Sequence, residues 1–60
     1  MGKKSRTVLV AGKIIGETKG AFLFSDATHD AWFPKSQVYW YPDAGMLQMQ
    51  EWLAKRKGFL

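Results

Sequence analysis

His29 is the one histidine of the chain, and it stands between Asp26 and Asp30. A carboxylate beside an imidazole can polarise it for general-base work, or the cluster can begin a metal site. Neither chemistry finds its remaining parts. There is no cysteine and no second histidine to complete a metal set. Asp26, Thr28 and Asp30, at alternate positions, echo the start of a calcium loop, but the glycine and the distal bidentate glutamate of such a loop are missing. Ser5, Ser25 and Ser36 have one histidine to share and no G-x-S-x-G context. The glycines are scattered singly and form no phosphate-cradling loop. A polar turn between two strands is the plainer reading of residues 26–30. The chain therefore reads as a binding module and not an enzyme, with no cofactor, no metal and no small-molecule substrate.

What remains is a combination of rings and cations. Both ends are basic: Lys3, Lys4, Arg6, Lys13 and Lys19 stand against Glu17 alone, and Lys55, Arg56 and Lys57 crowd the tail. In the middle Lys35 alone faces Asp26, Asp30, Asp43 and Glu51, and the formal net charge is +4. A fold that brings both ends to one side would set a cationic surface beside an aromatic-rich sheet, which suits a polyanion. Single-stranded nucleic acid is held in this way, by rings that stack bases and cations that follow phosphates.

Tyr39 and Tyr41 fall on the strand face opposite Val38 and Trp40, so both are exposed if Trp40 is core. Trp32-Phe33-Pro34-Lys35 sets a large ring beside a cation at a strand end. The expected interface is thus Lys3, Lys4, Arg6, Trp32, Lys35, Tyr39, Tyr41, Lys55, Arg56 and Lys57. Its expected ligand is nucleic acid, single-stranded or read with little sequence preference, and a host protein is the alternative. Two bland explanations compete. Most of nine aromatic residues in a chain of 60 must be core, and cations in a last helical turn favour the macrodipole with no ligand at all. Lys35 has three readings: a phosphate contact, a surface pair with Asp30 or another acid, or a stem packed on Trp32.

Sixty residues make one domain. Such a chain buries only roughly 60% of its unfolded surface and has little depth to enclose a pocket of a few hundred Å³. Residues 1–6 read as a disordered basic arm and 7–60 as a single small domain. Thr7 to Gly16 is apolar on both parities, which suits one strand covered on both faces or curling into a barrel, with Gly12 at the bend. Glu17-Thr18-Lys19-Gly20 reads as a turn with Gly20 free to take positive φ, followed by strands at Ala21–Ser25 and Ala31–Phe33. Pro34-Lys35-Ser36 suits one 3₁₀ turn, and Gln37–Tyr41 is a further strand. Pro42-Asp43-Ala44-Gly45 carries a hairpin signal, and Met46–Met49 returns as a short strand or leads into a helix.

The helix is expected at about 50–57, with Glu51 in its first turn, cations in its last and Gly58 beyond them. Met49 and Leu53, with Trp52 beside them, are its buried stripe, and Phe59 or Leu60 folds back over the end. The fold class is mainly β with one C-terminal helix: a small twisted antiparallel sheet, or an SH3-like or OB-like barrel, of four to five strands. Val8, Val10, Ile14, Phe22, Phe24, Trp40, Leu53 and one of Trp32 and Phe33 are the expected core.

Ala31-Trp32-Phe33-Pro34-Lys35-Ser36-Gln37-Val38 and Glu51-Trp52-Leu53-Ala54-Lys55-Arg56-Lys57-Gly58 resemble segments of a group of very short, uncharacterised bacterial and bacteriophage proteins. In those, a strand ending W-hydrophobic-P-K-S-Q precedes a variable hairpin and a terminal P-E-W-L-A-x-x-K-G helix. The likeness covers about residues 20–60, and Gln50 stands where Pro is usual. It implies a small phage or prophage protein and transfers no activity. No stretch approaches the roughly 20 apolar residues of a membrane span. Lys13 interrupts the apolar run that would imitate a signal peptide, and Arg6 stands where a myristoylation motif wants Ser or Thr. A cytoplasmic setting is the expectation.

Overall fold

The structure of the protein, a computed structural model, describes residues 6–60. Lys3 and Lys4, with the rest of the expected arm through Ser5, lie outside the described residues. The elements follow in the order β1 (Thr7–Ala11), β2 (Lys13–Glu17), β3 (Ala21–Ser25), β4 (Asp30–Pro34), a 3₁₀ turn (Lys35–Gln37), β5 (Tyr39–Tyr41), β6 (Met46–Gln50) and α1 (Glu51–Arg56). They make two three-stranded antiparallel sheets, ordered β1-β6-β5 and β2-β3-β4. The fold is mainly β with one C-terminal helix. Among the described residues no strand ladder joins the two sheets, so the barrel is not closed, and six strands replace the expected four or five.

The added strand comes from Gly12. The run 7–16 is not one strand covered on both faces. It breaks at Gly12, and β1 pairs with β6 while β2 pairs with β3. Each half then alternates, with Val8, Val10 and Ile14 turned inward and Leu9 and Ile15 outward. A Cβ at Gly12 would stand 2.3 Å from the Ser25 carbonyl oxygen and 2.6 Å from the Phe24 ring, so the crossing demands a residue without a side chain. The Gly12 N–H donates to the Gly45 carbonyl at 3.0 Å, tying this hinge to the β5–β6 turn. In that turn the Tyr41 carbonyl accepts from the N–H groups of both Ala44 and Gly45, as the hairpin signal predicts.

The inner faces of both sheets and the helix share one core. Phe24 and Phe33 come from the second sheet, Leu47 and Met49 from the first, and Leu53 and Ala54 from α1; all six are buried. Trp40 meets Phe24 edge-on at 6.2 Å across the gap between the sheets. Val8, Val10, Ile14 and Trp40 pack against this core and are half-buried. Phe22 is half-buried too, with the Lys35 ammonium 5.0 Å from its ring. Of the pair Trp32 and Phe33, Phe33 is inside and Trp32 outside.

Helix α1 begins directly after β6. Gln50 provides no side-chain cap, and the Glu51 N–H donates instead to the Arg6 carbonyl at 2.7 Å. At the other end Gly58 takes φ +85°. The Gly58 N–H reaches the Lys55 carbonyl and the Phe59 N–H the Ala54 carbonyl, the two bonds of a Schellman termination. This turns Phe59 back onto Phe24 and Phe33, at 5.5 and 5.6 Å between ring centroids, while Leu60 stays exposed.

Candidate nucleic-acid interface

Strand alternation builds the candidate surface. In β6, Leu47 and Met49 point inward, so Gln48 and Gln50 point outward with Met46. The register then sets Leu9, Gln48 and Tyr39 in one cross-strand row and Ala11, Met46 and Tyr41 in the next. Tyr39 is 60% exposed, and its ring lies 4.7 Å from that of Tyr41 in an edge-to-face pair. The Tyr41 hydroxyl donates to Gln48 Oε1 at 2.8 Å. At the helical end of the face the Trp52 indole N–H donates to Gln50 Oε1 at 2.6 Å, so a third exposed ring closes the row. Between them a cleft of about 240 Å³, open to solvent, is lined by Thr7, Gln37, Tyr39, Gln48 and Gln50 among others.

Such a face offers π-surfaces for stacking and amides that both donate and accept, which suits the edges of bases. Cations border it at one end. Arg6 is exposed where β1 meets the start of α1, and Lys55 and Arg56 are exposed on the helix that follows. Lys55 lies 3.8 Å from Glu51 one turn earlier, and Arg56 takes part in no ion pair among the described residues. The fold thus brings Arg6 to the helix that carries the C-terminal cations.

The other expected site residues lie elsewhere. Trp32 is on the outer face of the second sheet, opposite Leu23. Lys35 extends from the 3₁₀ turn to Glu17 Oε2 at 2.5 Å and lies over the Phe22 ring. This is the surface pair with another acid, Glu17, in place of Asp30, and the ring under the ammonium is Phe22 and not Trp32. Lys57 is half-buried, with its ammonium 5.7 Å from the Phe33 ring. Tyr39 and Tyr41 are brought together; Trp32 and Lys35 are not brought to them.

Trp52, Gln48 and Gln50 stand on this face and are not among the residues the sequence points to. The expected buried stripe of Trp52 with Met49 and Leu53 does not form: Met49 belongs to a strand, and a helix starting at Glu51 that buries Leu53 and Ala54 turns residue 52 outward. The alternation Leu47-Gln48-Met49-Gln50 carried the signal for the two amides.

His29 serves the fold. Its ring stacks on Phe59 at 4.2 Å and 26°, and its Nε2 lies 3.3 Å from the Lys57 carbonyl, where an N–H would donate. Asp26 Oδ1 accepts from the Thr28 hydroxyl at 2.6 Å, the Thr28 N–H at 2.9 Å and the His29 N–H at 3.0 Å. The Thr28 hydroxyl, then the two amides, hold its carboxyl down to about 2. Among the described residues no group of three or more His, Cys, Asp or Glu gathers where a metal could be held. Nor is any helix there long and apolar enough to cross a membrane. No family model, curated protein or solved structure matches the chain.

Proposed function

We propose that this protein is a non-catalytic nucleic-acid-binding module that holds a single strand, with little sequence preference, across the outer face of sheet β1-β6-β5. The observation that carries the reading is the exposed Tyr39–Tyr41 pair, fixed to Gln48 and followed by the exposed Trp52. Bases stack on the three rings, the amides of Gln48 and Gln50 meet base edges, and Arg6, Lys55 and Arg56 follow the phosphates. Lys3 and Lys4, just upstream of Arg6, add cations on the same side of the sequence. We read the two sheets hinged at Gly12 as an open form of the SH3-like or OB-like small-barrel plan. The resemblance to very short bacterial and bacteriophage proteins supports a phage or prophage origin, and the setting proposed for its action is the cytoplasm.

Fluorescence anisotropy with labelled single-stranded DNA and RNA at two salt concentrations tests the proposal. Affinity should fall steeply with salt, by about 0.7 in logarithmic slope for each phosphate neutralised. Absence of binding at low salt removes it.

A second reading, a module that binds and redirects a host protein, is favoured by the outer edges of β1 and β5, which pair with no strand among the described residues. An extended segment of a partner can add to such an edge. Pull-down from nuclease-treated host lysate separates the two, since a partner retained after nuclease favours this second reading.

A further inference from the structure

The second sheet also has an outer face, and two of its rows are self-complementary. Lys13, Ser25 and Asp30 are register partners, so a cation stands at the β2 edge and an acid at the β4 edge of one row. Both are exposed, and neither joins an ion pair within the chain among the described residues. The next row runs Gly16, Leu23, Trp32, with Ile15 bulged out beside Gly16. Ile15 and Trp32 are each about half exposed, at 48% and 46%. At Gly16 β2 raises no side chain, and a Cβ there would come 3.2 Å from that of Leu23; Gly16 and the Leu23 side chain packed against it are the floor of this row, with Ile15 and Trp32 exposed on either side.

We propose that this face is the seat of a second copy of the chain, related by a two-fold axis parallel to the strands. That operation lays β2 of one copy over β4 of the other at the same height. Lys13 then meets the partner's Asp30, and Trp32 meets the partner's floor at Gly16 beside Ile15, twice over by symmetry. A two-fold axis across the strands would instead set β2 on β2 and β4 on β4, with the charges unmatched. Three strands by five residues measure roughly 14 × 17 Å, a footprint below the ~800 Å² per partner of a standard interface. The dimer is therefore weak, with a dissociation constant in the micromolar range or above. It leaves the Tyr39–Tyr41 face free and does not depend on what that face binds.

Sedimentation equilibrium from about 10 μM to about 1 mM spans the range expected for an interface this small. A reversible monomer–dimer equilibrium is expected. Trp32→Ala and Lys13→Glu should each weaken it roughly tenfold or more, and Lys13→Glu/Asp30→Lys should restore association, with circular dichroism confirming that all variants are folded. A monomer throughout the range, leaving the face to some other partner, overturns the proposal. So does a dimer indifferent to Trp32→Ala, or a double charge swap that stays monomeric.

Discussion

The Tyr41 hydroxyl donates to Gln48 Oε1 across the β5–β6 ladder, at 2.8 Å. The bond fixes an exposed ring against a neighbouring strand, and Tyr39 leans edge-on against that ring at 4.7 Å. A ring already held in place loses less conformational freedom when a base stacks on it. Tyr41→Phe removes the bond but keeps the π-surface, so affinity for a single strand should fall by about threefold or less. Tyr41→Ala removes the surface, and at about 1–3 kcal/mol per stacked base the loss should be about 5- to 150-fold. Anisotropy titrations of the two variants against the parent check the difference.

Lys35 is predicted to serve the fold. Its ammonium is engaged by Glu17 and lies over Phe22, joining the 3₁₀ turn to the second sheet. Lys35→Ala should lower stability by about 0–1 kcal/mol, because the pair is partly exposed. Nucleic-acid affinity and its salt slope should not change. A slope reduced by about one contact would return Lys35 to the interface.

Gly12 is where one apolar run becomes two strands in different sheets. Gly12→Ala would press a methyl group against the Ser25 backbone, which cannot swing aside as a side-chain tip can. The cost should reach about 3 kcal/mol, against the roughly 3–9 kcal/mol expected for a domain of this size. Denaturant unfolding measures it, and a loss below about 1 kcal/mol would mean that the hinge relaxes freely.

Asp26 gives the fold a dependence on acid. Its carboxyl titrates at about 2 in the folded chain against an ordinary value of 3.8. A depressed value means that the stabilisation is complete above the ordinary value and is lost as pH falls through the folded one. Asp26 should therefore contribute a constant amount down to about pH 4 and a declining amount from there to pH 2. In Asp26→Asn that part of the decline should be missing from urea midpoints measured across the same window.

Much of the fold was legible, and the failures share a cause. The hairpin at Pro42–Gly45, the helix with its glycine stop and the outward tyrosines follow from turn chemistry and period-two alternation. Gly20, free to take positive φ, does not, while Ala27 in the next turn does, at 82°. There the Ser25 hydroxyl accepts from the Ala27 N–H, and Asp26 gathers the donors that follow. Side-chain bonds to the backbone decide such a turn, and composition alone does not reveal them. Trp32 and Tyr39 are close in sequence yet stand in different sheets, because the 3₁₀ turn that holds Lys35 carries the chain from one to the other. Neighbourhood along the chain misled the site reading; alternation along β6 was the better guide.

The most direct test of the proposed interface is an amide chemical-shift titration of the protein with a short single-stranded oligonucleotide at low salt. The account predicts shifts for the amides of Tyr39, Tyr41, Gln48 and Gln50 and for the Trp52 indole N–H, with Leu23 and the Trp32 indole left in place. Shifts confined to the Leu23–Trp32 face, or none at all, would contradict it.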